Sequence, residues 1–334
     1  MVYVFLYIII TLILNEIFIR KKYIQSFTGS KHQQYVNSSV PLTGGIFLIL
    51  PIIFIFFNDF KIMSVILIFL FLIGLFSDLN LIISPKKRFL IQLFIVSAFV
   101  LFTKLHVLPL RIFFIDKYLS DSTLIYFFTI FCLMILINGS NFIDGLNGLL
   151  LGYFLIVIFI FFKNHLIQDI ILDQRYILYL FIIIVFVLIL NFSNRLFLGD
   201  SGAYLLSFLM GFISIKIYNL NNNLSPYFII MLLWYPCFEN LFSIIRKKIE
   251  KANPLLPDNK HLHQYLYNYI VLKFKLSQKL SNCLSSLMIN LFNLMLFLIA
   301  SKYYESSIIQ LSILTCSIVI YVISYQFFKF KSFY

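Results

Sequence analysis

The sequence predicts an all-α polytopic membrane protein with about 10–11 transmembrane helices, its N-terminus outside and its working face toward the cytoplasm. Three observations predict this. The 334 residues are 61% hydrophobic and only 12% charged, a balance that no soluble domain has. Apolar runs approach the roughly 20 residues that a helix needs to cross a bilayer. The lysines and arginines fall mainly in alternate connections, as they do where cytoplasmic loops are held inside.

Eleven apolar runs follow in order, at about 1–19, 43–58, 62–76, 90–106, 122–138, 147–162, 176–190, 203–217, 226–245, 283–300 and 307–327. The first has no small-residue cleavage site and is followed by further spans, so it reads as a retained helix. Several runs are short; those near polar motifs read as broken or shielded by neighbours. With the N-terminus outside, 18 of the 26 lysines and arginines, Lys31 among them, lie on the cytoplasmic side. The net charge of +13 therefore points to an anionic inner leaflet. It does not point to nucleic acid, since there is no soluble basic domain or recognition motif. Cys132, Cys237, Cys283 and Cys316 have no metal or disulfide spacing and read as small buried hydrophobes. The chain is one domain, 1–334, with one sizeable cytoplasmic loop at 246–282. Within that loop, Lys273 to Leu280 reads as an interfacial helix or a solvated linker.

The polar islands gather on one face. They are Val40 to Gly45, Gly74 to Asn80 leading to Ser84–Gln92, Asn138 to Gly148, Arg195 to Gly202, and Arg246 through Pro257 to His263. A transporter needs polar groups near mid-membrane and access from both sides, whereas this one-sidedness suits an enzyme at the inner surface. Asp200 is the focus: a carboxylate at a membrane edge is expensive to desolvate, so its default role is functional. Gly199 and Gly202 are expected to let the backbone approach a bulky ligand. Asp78, Asp144 and Glu239 lie at the same boundary, and Asn141 sits close enough before Asp144 to share a helix face. Such hard oxygens suit Mg²⁺, with Mn²⁺ as the alternative, completed by water and substrate phosphates. Lys86, Lys87, Arg88, Lys260, His261 and His263 add the cations that a polyphosphate substrate requires.

Each residue has a plainer role. Asp78 could cap a helix. Asp144 and Asn147 could stabilise a Gly-rich turn. Glu239 could pair with Arg246. The two histidines could be a zinc pair, but no Cys or third His accompanies them. The basic run 246–251 reads as a topology signal before a ligand site.

Three stretches carry a family resemblance: Asn141-Phe-Ile-Asp-Gly-Leu-Asn-Gly-Leu149, Phe197-Leu-Gly-Asp-Ser-Gly202 and Pro257-Asp-Asn-Lys-His-Leu-His263. In this order and on one face, they make the chain resemble the polyprenyl-phosphate N-acetylhexosamine-1-phosphate transferases of glycosyltransferase family 4. The resemblance implies a multi-pass enzyme of the bacterial inner membrane. It would move a sugar-1-phosphate from a UDP-N-acetylhexosamine, GlcNAc-like, to undecaprenyl phosphate with Mg²⁺ and release UMP, starting a lipid-linked cell-surface glycan. A homodimer is compatible with it. By the same resemblance, Asn141 and Asp200 would bind the metal. Asp78 and Arg88 would join Asp200 as catalytic groups, with Arg88 at the diphosphate. Asp144, Asn147, Lys260, His261 and His263 would contact the nucleotide sugar.

The sequence also departs from the family pattern. The usual Asp-Asp pair is Ser77-Asp78, the loop to Arg88 is one residue longer, and Asn147 replaces an Asp. Glu239 replaces an Asp, and Gln264 a His. A phosphate monoester with a second pKa of about 6 is largely dianionic at neutral pH, so it can attack without the missing carboxylate. The departures point to a branch that starts a capsule, O-antigen or glycoprotein glycan, and away from the muramoyl-pentapeptide substrate. The competing readings are a transporter or flippase, which would carry inverted repeats, and an inactive relative kept as a binding scaffold.

Overall fold

A computed structural model describes residues 2–25, 40–119, 122–168, 170, 174–253 and 258–331. Lys31 and Pro257 lie outside them. Among the described residues the chain forms thirteen α-helices and no strand, apart from an isolated bridge between Gln25 and Pro41. It is an all-α polytopic membrane protein. The helices are α1 (Val2–Lys21), α2 (Gly44–Phe56), α3 (Lys61–Asp78), α4 (Pro85–Thr103), α5 (Phe113–Leu119) and α6 (Ser122–Ile143). Then come α7 (Leu149–Lys163), α8 (Gln174–Phe192), α9 (Gly199–Leu220), α10 (Pro226–Ile249), α11 (Leu262–Phe274), α12 (Gln278–Ala300) and α13 (Ser307–Lys331).

Each of the eleven expected spans is a helix. Eight of the helices are long and apolar enough to cross a membrane. Helices α2 and α7 are shorter, and α4 opens on a charged turn, Lys86 to Arg88. The boundaries moved where polar residues are helical. Helix α6 runs on to Ile143 because Asn138 folds its amide back onto the Met134 carbonyl at 2.9 Å. Helix α9 begins at Gly199, so Asp200 stands in its first turn.

Helix α9 is the hub, buried along most of its length and packed on α2, α3 and α6. Its neighbours come close because glycines face it. A Cβ on Gly74 would overlap the backbone of Ser201, and one on Gly45 would sit 2.5 Å from the Gly202 nitrogen. The segment before α2 also runs beside the approach to α9. Phe197 N–H donates to the Pro41 carbonyl at 2.8 Å, and Gly44 N–H returns to the Phe197 carbonyl at 2.9 Å. The first turn of α9 is thereby clamped between α2 and α3.

The stretch 246–282 is not a free loop. It contains α11, which packs along α12 and α13, with Tyr265 edge-on to Tyr325 at 5.4 Å. The interfacial helix expected at 273–280 is absent. Lys275 takes a left-handed conformation (φ 50°) that ends α11, and Ser277 caps α12.

Because the spans alternate in direction, one end of the bundle holds the end of α3, the start of α4, the end of α6, the start of α9 and the end of α10. All the expected site residues are at that end.

Candidate active site

Asp200 is the meeting point of four elements. One carboxylate oxygen accepts from the Asn141 amide at 2.6 Å. The other accepts from Ser77 Oγ at 2.7 Å, from the Arg88 guanidinium and, more loosely, from the Tyr204 hydroxyl at 3.5 Å. Arg88 also donates to Ser77. The Asp200 side chain keeps 15% of its surface exposed and Arg88 23%, so this ion pair is open at one side. Lys86 and Lys87 point away and are exposed; of the basic trio, only Arg88 reaches Asp200.

Asp78 stands behind Asp200. Its two oxygens accept the backbone N–H of Asp200 at 2.8 Å, the N–H of Ser201 at 3.1 Å and Ser201 Oγ at 2.7 Å. These are orphan donors of a helix N-terminus, and a carboxylate is their strongest partner. Asp78, the last residue of α3, therefore caps α9. The capping role is the plainer of its two expected roles. Gly199 makes the cap possible. Its φ is +77°, and a Cβ there would press to 2.6 Å of Asp78 Oδ2. Gly202 packs against Leu198 and Gly45. Both glycines thus make room for protein groups, not for the ligand that the sequence suggested.

The last turn of α6 links this cluster to a second one. Asn141 reaches Asp200, while the next residue, Phe142, lies 5.3 Å from the His261 ring and under the Lys247 ammonium at 5.9 Å. Gly145, four residues on, leaves space for His263, whose Nε2 would lie 2.9 Å from a Cβ there. The rings of His261 and His263 stack at 5.5 Å. Glu239 is buried and accepts His261 Nδ1 at 2.8 Å and the Tyr321 hydroxyl at 2.7 Å. The expected Glu239–Arg246 pair does not form. Arg246 instead meets Asp258 at 2.8 Å, and Lys247 stands 3.9 Å from the same carboxylate. His261 Nε2 lies 3.4 Å from the other oxygen of Asp258. Burial works against the charge on Asp258, but His261, Arg246 and Lys247 outweigh it and hold its carboxyl below the ordinary value.

Three expected contact residues are placed differently from one another. Asp144 is buried in the turn just past α6, its N–H on the Ser140 carbonyl at 3.1 Å. Asn147 is buried and knits helices together. Its N–H donates to Asn282 at 2.8 Å and its side-chain amide to Asn194. Lys260 is half-exposed and binds Glu250 at 2.8 Å, which raises the ammonium's pKa and lowers that of the carboxyl. Sequence reasoning missed Ser77, Phe142, Arg246, Lys247 and Asp258 as members of the site. Arg246 and Lys247 were hidden inside a basic run that also sets topology, and their burial, 7% and 3% exposed, was the signal lacking.

The Asp200 cluster offers the donor chemistry of a Mg²⁺ site. Asp200 and Asn141 bring a carboxylate and a carboxamide together, both hard and partly open, and few in number, as Mg²⁺ completed by substrate oxygens prefers. Asp78 does not fit as a ligand, since both its oxygens are taken by α9.

The family model described as glycosyl transferase family 4 matches residues 60–218, a span that includes Asp78, Arg88, Asn141 and Asp200. Over that span the chain resembles glycosyl transferase family 4. It is similar to the phospho-N-acetylmuramoyl-pentapeptide-transferase of Dictyoglomus turgidum, at 30% identity over 207 residues, covering 58% of this chain and 63% of the relative. It is similar as well to the undecaprenyl-phosphate alpha-N-acetylglucosaminyl 1-phosphate transferase of Thermotoga maritima, at 30% identity over 128 residues, covering 38% of each. The probable undecaprenyl-phosphate N-acetylglucosaminyl 1-phosphate transferase of Bacillus subtilis is 28% identical over 207 residues, covering 60% of this chain and 54% of the relative. The chain thus spans less than two thirds of each of these relatives. The family match ends before the His261–His263 turn, which the structure brings beside Phe142 and Gly145 at the end of α6.

Proposed function

We propose that this protein transfers a sugar-1-phosphate from a UDP-N-acetylhexosamine to undecaprenyl phosphate at the cytoplasmic face of the bacterial inner membrane. The observation that carries this reading is the convergence of Arg88, Asn141 and the Asp78-capped start of α9 on Asp200. The names of the relatives support the lipid acceptor and the sugar-1-phosphate cargo.

In the proposed reaction, an oxygen of the lipid phosphate attacks the β-phosphorus of the nucleotide sugar. A new P–O bond forms, the bond from that phosphorus to the UMP oxygen breaks, and UMP leaves with the electron pair. Such transfers depend on positioning and charge neutralisation more than on covalent help from the protein. Arg88, held by Ser77 and Asp200, would meet the diphosphate. Asp200 and Asn141 would hold Mg²⁺, which when bound neutralises phosphate charge. Asp78 fixes the Asp200 backbone, so it is a positioning residue. His261, steadied by Glu239, and His263 would contact the donor. Ser77 adds no negative charge beside an incoming dianionic phosphate.

The test is UMP release by membranes containing the protein, given undecaprenyl phosphate, Mg²⁺ and a panel of UDP-sugars, with lipid products read by mass spectrometry. Asp200→Ala should lower turnover about 1,000-fold, on the scale of losing a principal electrostatic group. Full turnover by that variant would remove Asp200 from the mechanism.

A further inference from the structure

The end of the bundle opposite Asp200 holds a second polar site. Helix α3 has 18 residues between Lys61 and Asp78, so the two ends are about 27 Å apart at 1.5 Å per residue. There the turn before α3, the end of α4 and the end of α9 line an open cavity of about 480 Å³, at whose mouth Lys61 and Lys104 are exposed. Lys61, Lys104, Lys216 and His106 line it, with one carboxylate, Asp59. Its floor is aromatic, since Phe60 and Phe99 stand edge-on to Phe212 at 5.1 and 6.0 Å. The wall is fixed where the Asn219 amide donates to the His106 carbonyl at 2.8 Å.

Three observations point to an anion. First, the sequence leaves few cations on this face, yet three from separate helices converge on one cavity. Second, among the described residues none of the three ammonium groups has an ion-pair partner. Lys216 only lies over the Phe212 ring at 5.9 Å, and Asp59 forms no salt bridge either. Third, Lys61 is the first residue of α3, the end where the helix dipole disfavours a cation. That first turn has no acidic residue and no side-chain cap, so its N–H groups face the cavity end without an internal acceptor. An anion in the cavity would relieve all three conditions at once, and a phosphate group has both the charge and the acceptor count to do so.

We infer that this cavity binds a phosphate-bearing anion on the face opposite the Asp200 site. Two sources share that chemistry: the headgroup of an anionic phospholipid in that leaflet, and free phosphate. The site is independent of the proposed transferase reading, because none of its residues belongs to the Asp200 cluster.

The experiment compares the wild-type protein with the triple variant Lys61→Gln, Lys104→Gln, Lys216→Gln. One arm titrates inorganic phosphate against chloride at fixed ionic strength and reads the thermal shift in detergent. The other reads phosphatidylglycerol retained in native mass spectra after release from nanodiscs of phosphatidylglycerol or phosphatidylcholine. The expected result is binding in one arm that is weakened about tenfold or more in the variant, equivalent to about 1.4 kcal/mol. A response to phosphate identifies the free ion, and a response in the lipid arm alone identifies a headgroup. Equal behaviour of wild type and variant in both arms overturns the inference. If the triple variant does not fold, Lys61→Gln and Lys104→Gln are measured singly, and unchanged binding by both overturns it equally.

Discussion

Asp78 and Asp200 are adjacent carboxylates with different work. Asp78 spends both oxygens on the first turn of α9, whereas Asp200 presents its own to Asn141, Arg88 and Ser77. A neutral amide at position 78 would keep the shape and weaken charge-assisted bonds. Asp78→Asn should therefore lower kcat while leaving KM for the UDP-sugar nearly unchanged. It should also lower stability by about 1–3 kcal/mol, the cost of compromising a buried bonded group. Asp200→Asn should leave the melting temperature near wild type, and the two readouts together separate positioning from direct contact. At this scale the sequence was informative about chemistry and silent about partners. That Asp200 matters follows from its cost at a membrane edge. That Asp78 points at the first N–H groups of α9 follows only from the close packing of Gly74 on Ser201, which no spacing rule encodes.

Among the elements, the join between α10 and α11 is held by several charges at once. Asp258 closes it by meeting Arg246, Lys247 and His261. Its pKa is lowered in the folded protein, so the folded state binds its proton less readily than the unfolded chain does. The stabilisation is complete above the ordinary value of 3.8 and is lost as pH falls through and below it. The melting temperature of Asp258→Asn should accordingly lie below that of wild type near neutral pH, and the gap should narrow progressively as pH falls below the ordinary value of 3.8. A constant gap across the range would mean that the join does not depend on this charge. The eleven spans were readable because long apolar runs leave little choice of structure. Helix α11 was not, because its Tyr-rich, mixed pattern offers no clean apolar stripe until α12 and α13 are beside it.

For the whole molecule, the alternation of eleven spans puts the Asp200 and His261 clusters at one end and the lysine-lined cavity at the other. In the proposed topology the excess of positive charge puts the first end in the cytoplasm. In a cysteine-free background, Lys260→Cys should react with a membrane-impermeant thiol reagent only from the cytoplasmic side, and Asn223→Cys only from the outside. The opposite pattern would invert the proposed topology and remove access to cytoplasmic nucleotide sugars. The gathering of polar islands on one face was legible from alternation alone. The order in which they meet was not, since it depends on α6 lying between α9 and α10, and sequence distance says nothing of that.

Helix α9 is the least apolar of the eight long helices and the one most enclosed by protein. Such a segment is poorly suited to partition into lipid on its own. Its flanking walls α2, α3 and α6 all come earlier in the chain, so they are already synthesised when α9 leaves the ribosome. Biogenesis therefore has a built-in schedule: the cradle is laid down first, and the segment bearing the key carboxylate settles into it last.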